Sequence, residues 1–174
     1  MAKFQFAVCT ELHVDDLVQY IHEQWAENHI FCQSRDLFDW QHKSRVGDYF
    51  NFIIARRTVD NKICGVLGFI PTSHFSAGLA IYNEVWLAIW KVNEGPKYVG
   101  LGMGLLRFLT KEFGVKSIIS IGISNIVRPI YEELGFTTGK LSQLVLINET
   151  VNDFRIASCR EKQNASRLTS QKNY

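Results

Sequence analysis

The sequence predicts an α/β (α+β) protein built on one mixed sheet that is mainly antiparallel in its first part. Three strand-like runs follow one another in the middle of the chain, and a hairpin signal joins the first two. The third run leads through a glycine-rich turn into a helix-like run and a further strand. This order is typical of a right-handed crossover between parallel strands.

Length and composition indicate an ordinary globular protein. The 174 residues are 47% hydrophobic and 21% charged. A net charge of +2 is too small to indicate a nucleic-acid partner. The four cysteines form no metal-ligand pattern, and no apolar run reaches membrane-spanning length. We therefore expect a cytoplasmic protein with reduced thiols, no metal site and no membrane span.

The first quarter of the chain predicts a strand and two helices. Phe4–Cys9 predicts the strand, and Asp15 is the expected N-cap of the first helix. The apolar residues of that helix recur at helical spacing, at Leu17, Val18, Ile21 and Trp25. Ser34 is the expected N-cap of a second, shorter helix that carries Leu37, Phe38 and Trp40.

The period then changes to that of strands. Residues 50–56 and 63–70 predict two strands, which Val59-Asp60-Asn61 joins as a hairpin. An irregular loop is expected around residues 73–78, before a third long strand at Glu84–Val92.

After the glycine-rich turn, a helix is indicated by Leu105, Leu106, Leu109 and Phe113. Gly114 is suited to end this helix. Residues 117–123 predict a strand, whose near-continuous isoleucines indicate burial on both faces.

The last part of the chain predicts a short helix over residues 129–135, which begins with a proline. A long strand is expected at residues 137–148, paired with residues 154–157. From there the sequence is polar and almost free of large apolar residues. We expect one domain over residues 1–157 and a polar, disordered tail over residues 158–174.

The most informative segment is Val99-Gly100-Leu101-Gly102-Met103-Gly104, between a strand-like run and a helix-like run. Glycines at alternate positions leave backbone N–H groups unshielded by side chains, and the helix N-terminus adds a positive dipole end. The segment therefore predicts a phosphate or pyrophosphate site. The alternative is that these glycines only allow close packing of strand and helix.

Two motifs carry a resemblance to a known family. One is Gly100-Leu101-Gly102-Met103-Gly104, which opens a helix, and the other is Tyr131-Glu132-Glu133-Leu134-Gly135-Phe136. Together they resemble the GNAT superfamily of acyl-CoA-dependent N-acetyltransferases, over about residues 4–148. The resemblance implies helices on both faces of the sheet, a splayed parallel strand pair, and acetyl-CoA as co-substrate.

The resemblance also implies the residues that hold the coenzyme. Trp90 and Val92 would offer backbone groups to the pantetheine arm. The pyrophosphate would be wrapped by residues of the turn, namely Tyr98, Val99, Gly100, Leu101, Gly102, Met103 and Gly104. Asn125 is a further coenzyme-binding candidate.

Three features depart from the family pattern. Val99 stands where the family usually has arginine or glutamine, and the link from Val92 to Gly100 is about two residues longer. Asn125 lies six residues before Tyr131 instead of seven, a spacing that Ser124 has.

Amide formation from a thioester needs a base for the amine and an acid for the leaving thiolate. By its motif position Tyr131 is the expected acid, the alternative being an aromatic packing residue. If the strand alternates regularly, Glu84, Trp86, Ala88 and Trp90 share one face. Glu84 could then act as the base, directly or through water, or it could be a solvated strand-end residue.

Two histidines can each be interpreted as functional or as structural residues. His74 is an alternative base or an ordinary loop histidine. His29 follows the first helix, where acceptor-binding residues often lie, or it only ends that helix.

The leading hypothesis is an acetyl-CoA-dependent N-acetyltransferase that acts on a primary amine of a small acceptor. Residues 67–72 and 86–91 are similar to GNAT-like proteins of bacterial surface-polysaccharide and nucleotide-sugar pathways. This similarity implies an amino sugar, free or nucleotide-linked. The alternatives are a catalytically degenerate acyl-CoA-binding module and a dinucleotide-binding oxidoreductase, which Leu105 and Leu106 disfavour. Whether the protein forms a homodimer stays open.

Overall fold

The structure, a computed structural model, describes residues 3–142. The chain divides into two compact units, Met1–Val127 and Arg128–Tyr174. The predicted single domain over residues 1–157 and the predicted tail both extend outside the described residues, so they stay predictions.

The first unit is built on a five-stranded sheet whose strand order follows the chain, β1-β2-β3-β4-β5. Within the described residues the first three pairings are antiparallel, and β4 and β5 run parallel. The mixed, mostly antiparallel sheet is therefore confirmed. Its strands are β1 (Phe4–Cys9), β2 (Phe50–Arg57), β3 (Ile63–Pro71), β4 (Glu84–Val92) and β5 (Ser117–Ser120).

The helices cover both faces of this sheet, as expected. One face carries α1 (Val14–Gln24), α2 (Ile30–Gln33) and α3 (Arg35–His42), and the other carries α4 (Leu101–Phe113). The second unit contains α5 (Arg128–Glu133). Short 3₁₀ segments are formed by Glu11–His13, Thr72–His74, Ala77–Tyr82 and Pro96–Tyr98.

Several expected boundaries are confirmed. β1 and β4 have the predicted bounds. Ser34 caps α3, because its hydroxyl oxygen accepts the Leu37 amide at 3.2 Å. Gly114 follows α4 with a φ of 60°, a left-handed conformation that glycine adopts without strain.

The predicted start of α1 is wrong. His13, not Asp15, is its N-cap, and Asp15 lies in the first turn. The preceding 3₁₀ turn, Glu11–His13, brings the chain into helical conformation two residues earlier. The irregular loop expected around residues 73–78 likewise contains parts of two 3₁₀ turns.

The strand predicted at residues 117–123 is also shorter than expected. β5 ends at Ser120, and its isoleucines are half-buried instead of buried on both faces. Ile121, just beyond it, is 61% exposed. Residues 137–142 form no strand. The rest of the strand predicted at 137–148, and its partner at 154–157, lie outside the described residues.

The two faces of the sheet are packed differently. The face under α1–α3 is aromatic: Phe31 and Phe38 pack against Phe50 and Phe52 of β2, with His42 among them. On the other face, glycines let α4 approach closely. A Cβ at Gly65 of β3 would lie 3.2 Å from Leu105, and a Cβ at Gly104 would lie 2.5 Å from the Phe6 ring.

A β-bulge divides β4 into two parts. Leu67 of β3 pairs with Trp90, and Phe69 pairs with Leu87, so β4 has one residue more than β3 between these pairs. An extra residue reverses the alternation of side chains on the strand beyond it. The ladder with β5 ends at the same place, with Leu87 opposite Ser120, while β4 continues to Val92.

Candidate functional site

The glycine-rich turn begins α4 in an unusual conformation. Gly100 is the N-cap, with φ 80° and ψ −7°, in the left-handed region. A Cβ added there would meet no atom within 4 Å, so its missing side chain faces open space. The first backbone bond of the helix runs from the Gly104 N–H to the Gly100 carbonyl at 3.0 Å.

The amides of the first turn are therefore available. An α-helix leaves its first N–H groups without intrahelical acceptors, and Gly100 offers no side chain to cap them. Among the described residues, no acceptor bonds the N–H groups of Leu101, Gly102 or Met103. The first turn also carries no acidic side chain. This arrangement can hold an anion.

The other two glycines of the turn serve packing. A Cβ at Gly102 would lie 3.2 Å from the indole nitrogen of Trp90, and a Cβ at Gly104 would overlap the Phe6 ring. Of these three glycines, Gly100 alone has open space where a side chain would be, and the expectation that it unshields the amides stays a prediction. The packing explanation is correct for Gly102 and Gly104.

The link between β4 and the turn is folded. Gly95 has a φ of 113°, and Pro96–Tyr98 forms a 3₁₀ turn. Tyr98 is buried, with its ring 6.0 Å from that of Phe4, whereas Val99 is 85% exposed. No charge stands at position 99, but Lys97 is close by, and Lys3 donates to the Lys97 carbonyl at 2.6 Å.

The last residues of β4 direct their backbone groups away from β3. The Asn93 N–H donates to the Cys64 carbonyl of β3 at 2.9 Å. Because successive residues of a strand point their N–H and C=O groups to opposite sides, those of Val92 and Trp90 point away from β3. They point to the edge that β5 leaves at Leu87.

Glu84 and Trp86 do not share a face with Trp90, so that expectation is wrong. Trp86 pairs with Ile70, and Trp90 pairs with Leu67. Ile70 and Leu67 are three residues apart and lie on opposite faces of β3. Trp90 lies under α4, against Gly102, whereas Glu84 and Trp86 lie on the side of α1–α3.

The two histidines have structural contacts. His74 is 6% exposed, and its Nε2 lies 2.9 Å from the Trp40 carbonyl oxygen. A carbonyl only accepts, so this nitrogen carries the proton and donates. His29 caps α2 by accepting the Phe31 amide at its Nδ1, and burial lowers the pKa of His29.

The turn before α5 contains the remaining coenzyme candidate. Asn125 is exposed, whereas the Ser124 hydroxyl accepts the Val127 amide at 3.3 Å. The serine at the expected spacing therefore serves the turn, and the Asn125 side chain is left exposed.

In the second unit, α5 places Tyr131 in an aromatic contact. Tyr131 is 4% exposed, and its ring centroid lies 5.0 Å from that of Phe136. The Glu132 carboxylate accepts hydrogen bonds from the Thr138 hydroxyl and from Arg128. Both bonds lower the pKa of Glu132, and the Thr138 bond has the larger effect.

Sequence reasoning missed the contacts that support the turn. The residues of each contact, Phe6 with Gly104 and Tyr20 with Asn93, are separated by more than seventy positions in the sequence.

Within the described residues, no cluster of three or more histidine, cysteine or acidic side chains could hold a metal. No helix in residues 3–142 is long and apolar enough to cross a membrane.

Comparison with solved structures decides the fold. An aminoglycoside antibiotic 6′-N-acetyltransferase from Acinetobacter baumannii is similar, with a TM-score of 0.58 at 14% identity, over 83% of this chain and 98% of that one. A ribosomal-protein-alanine N-acetyltransferase from Brucella melitensis biovar Abortus 2308 has a TM-score of 0.56 at 13% identity, over 83% and 99% of the two chains. The chain has the GNAT acetyltransferase fold.

A third structure with this fold was solved with a coenzyme derivative. It is AAC(6′)-Iy in complex with the bisubstrate analog CoA-S-monomethyl-acetylneamine. Its TM-score is 0.57 at 13% identity, over 84% of this chain and 99% of that one. No family model matches the sequence, and no curated protein matches it. At these identities the likeness shows the GNAT fold alone.

Proposed function

We propose that the protein is an acetyl-CoA-dependent N-acetyltransferase that acts on a primary amine of a small acceptor. The observation that carries this proposal is the uncapped start of α4 beside the part of β4 that continues past its last pair with β5. An anion cradle and a strand edge, placed together, fit the pyrophosphate and the amide-containing arm of one coenzyme. The bisubstrate complex of a protein with the same fold supports the choice of coenzyme.

In this proposal each coenzyme residue has one task. The amides of Leu101, Gly102 and Met103 bind the pyrophosphate, with Gly100 leaving room for it. The backbone groups of Trp90 and Val92 pair with the pantetheine arm. Tyr98, Val99 and Gly104 shape the turn, and the exposed Asn125 is a further contact to the coenzyme.

The proposed chemistry is transfer of an acetyl group from sulfur to nitrogen. The neutral amine attacks the thioester carbonyl carbon, the carbon–sulfur bond breaks, and the amine loses a proton. Glu84 takes this proton, through water. Tyr131 gives its phenolic proton to the departing thiolate, and water restores it.

The proposed acceptor is an amino sugar, free or nucleotide-linked. Trp86 supports this class, because its half-buried indole on the α1–α3 side of β4 offers an apolar face for a sugar ring. The aminoglycoside antibiotic acetyltransferase with the same fold is consistent with such an acceptor.

The coenzyme site is tested by two variants of nearly equal shape, Gly100→Asn and Gly100→Asp. Both side chains tolerate the left-handed conformation and would enter open space, and only aspartate adds a negative charge beside the amides. We expect Gly100→Asp to raise the acetyl-CoA dissociation constant about tenfold more than Gly100→Asn, as repulsion of about 1.4 kcal/mol would do. Isothermal titration calorimetry measures it. Equal affinities would contradict the placement of the pyrophosphate.

Activity is tested by thiol release with a panel of amino sugars, nucleotide-linked amino sugars, polyamines and peptides. Tyr131→Phe keeps the ring and its contact with Phe136, so turnover should fall about 10²- to 10⁴-fold at unchanged acetyl-CoA affinity. Full turnover in this variant would contradict the role of Tyr131 as the acid. Preference for polyamines or peptides would contradict the amino-sugar acceptor.

A second candidate is an acyl-CoA-binding module without catalysis. Val99, uncharged and exposed, and the long folded link favour it. Binding of acetyl-CoA without release of thiol for any amine would support the module. Binding of NAD in place of acetyl-CoA would favour an oxidoreductase.

A further inference from the structure

Asn93 closes β4 and starts the link to the glycine-rich turn. Its N–H donates to the Cys64 carbonyl at 2.9 Å, and its side-chain oxygen accepts the Tyr20 hydroxyl at 2.8 Å. The residue is thus held from β3 through its backbone and from α1 through its side chain. The N–H bond continues the pairing with β3 one residue past Val92, whose own backbone groups therefore point away from β3.

Tyr20 is a fixed point for this contact. It is 5% exposed and lies in α1 beside Ile21, which, like Leu17 one turn earlier, is completely buried in the core. Burial raises the pKa of the Tyr20 phenol, so the hydroxyl stays a donor at neutral and alkaline pH. The hydrogen bond to Asn93 therefore transmits the position of α1 to the end of β4.

The far end of the link is held separately. Lys3 donates to the Lys97 carbonyl at 2.6 Å, and the buried Tyr98 ring packs near Phe4 of β1. Between Asn93 and Lys97 only three residues remain, among them Gly95, whose φ is 113°. The end held by Tyr20 thus decides how this short segment leaves the strand.

We infer that Tyr20 is a positioning residue for the coenzyme. Its hydroxyl holds Asn93, and Asn93 holds both the backbone direction of Val92 and the start of the link to Gly100. Tyr20 acts only through Asn93. This inference rests on the proposed function, because it concerns the same coenzyme site.

The test is Tyr20→Phe, which removes the hydroxyl and keeps the ring in the core. The acetyl-CoA dissociation constant and KM should rise about two- to tenfold, because the loss in binding can be no larger than the net contribution of one hydrogen bond. The value of kcat should stay the same, because no reacting group changes. Asn93→Ala removes the same bond from the other side and should give a similar loss of acetyl-CoA affinity. The double variant should lose no more affinity than the single variant with the larger loss.

The matched control is Tyr49→Phe, which removes a tyrosine hydroxyl whose ring packs on Phe113, outside the link. It should bind acetyl-CoA as the wild type does. Calorimetry with acetyl-CoA and thermal unfolding without ligand are measured on each variant. Should Tyr20→Phe not fold, Asn93→Ala carries the test.

The outcomes separate the two claims. If the wild type binds acetyl-CoA and Tyr20→Phe binds it equally well, only the role of Tyr20 is overturned. A lower kcat at unchanged KM, or additive effects in the double variant, would also overturn it. A wild type that binds no acetyl-CoA overturns the proposed function together with this inference.

Discussion

Two helices on opposite faces of the sheet, α3 and α4, begin in different ways. α3 starts at Ser34, whose own hydroxyl oxygen accepts the Leu37 amide, whereas α4 starts at Gly100, which has no side chain to accept one. A capped start contributes stability, and an uncapped start leaves donors for a ligand. The comparison shows that the start of α3 is satisfied by its own cap residue, whereas the start of α4 keeps N–H groups that no acceptor among the described residues bonds.

Packing follows the same division. Around α3, the rings of Phe31, Phe38 and Phe52 enclose His42. Under α4, Gly104 brings the helix against Phe6. On one face aromatic rings surround a histidine, and on the other glycines let the helix come close to aromatic rings of the sheet.

The largest expected effect is acid destabilisation through His42 on the aromatic face. Burial lowers the pKa of His42 from 6.5 to about 3. Below pH 6.5 His42 is protonated in the unfolded chain, whereas in the folded protein it stays neutral until near pH 3. The free energy of unfolding therefore decreases as the pH falls through this range. Between pH 7 and pH 4 this decrease amounts to about 3 kcal/mol.

The measurement is the free energy of unfolding in urea at pH 7 and at pH 4. The difference between the two pH values should be smaller in His42→Leu and in His42→Gln than in the wild type. Equal differences in all three proteins would show that His42 does not set the acid limit of this face.

A smaller effect is expected from Gly104→Val on the α4 face. The Cβ would overlap the Phe6 ring, which itself packs on Phe108, and overpacking of this kind costs about 1–3 kcal/mol. Arg107→Val, at an exposed position of the same helix, controls for the lower helix propensity of valine. Chemical denaturation of both variants measures the difference. Addition of Phe6→Leu should recover part of the loss, and no recovery would mean that Gly104 does not pack on Phe6.

The smallest effect is expected from Ser34→Ala. Loss of the cap should lower the free energy of unfolding by about 1 kcal/mol. Ser76→Ala is the matched control, because Ser76 precedes a 3₁₀ turn without a side-chain cap bond. Thermal unfolding compares the two variants. Equal losses would remove the contrast between the starts of α3 and α4.

Sequence reasoning identified local features and missed those that depend on a partner strand. The Ser34 cap and the bounds of β4 could be predicted, because neighbouring residues determine them. The bulge could not, since the alternation of Glu84 and Trp86 with Trp90 looks regular by itself. Its one signal is Gly68 on the facing strand, between the two shifted pairs.

The glycine-rich turn shows the same limit. Its position before α4 and its role as a helix start were readable, but the different tasks of its glycines were not. Gly104 packs against Phe6, which is distant in sequence. Gly102 packs against Trp90, whose face of β4 depends on the bulge. The sequence also could not show that Ser124 bonds the turn and leaves Asn125 as the exposed candidate, because Ser124 has the expected spacing from Tyr131.

The bulge in β4 also affects how this strand is aligned with other chains. Counting backward from the glycine-rich turn gives the correct face only as far as Ile89. Before the extra residue opposite Gly68, the same count assigns Trp86 and Glu84 to the wrong side of the sheet. An alignment of this chain with a strand that lacks the bulge needs a gap there, and residue roles should be transferred separately on its two sides.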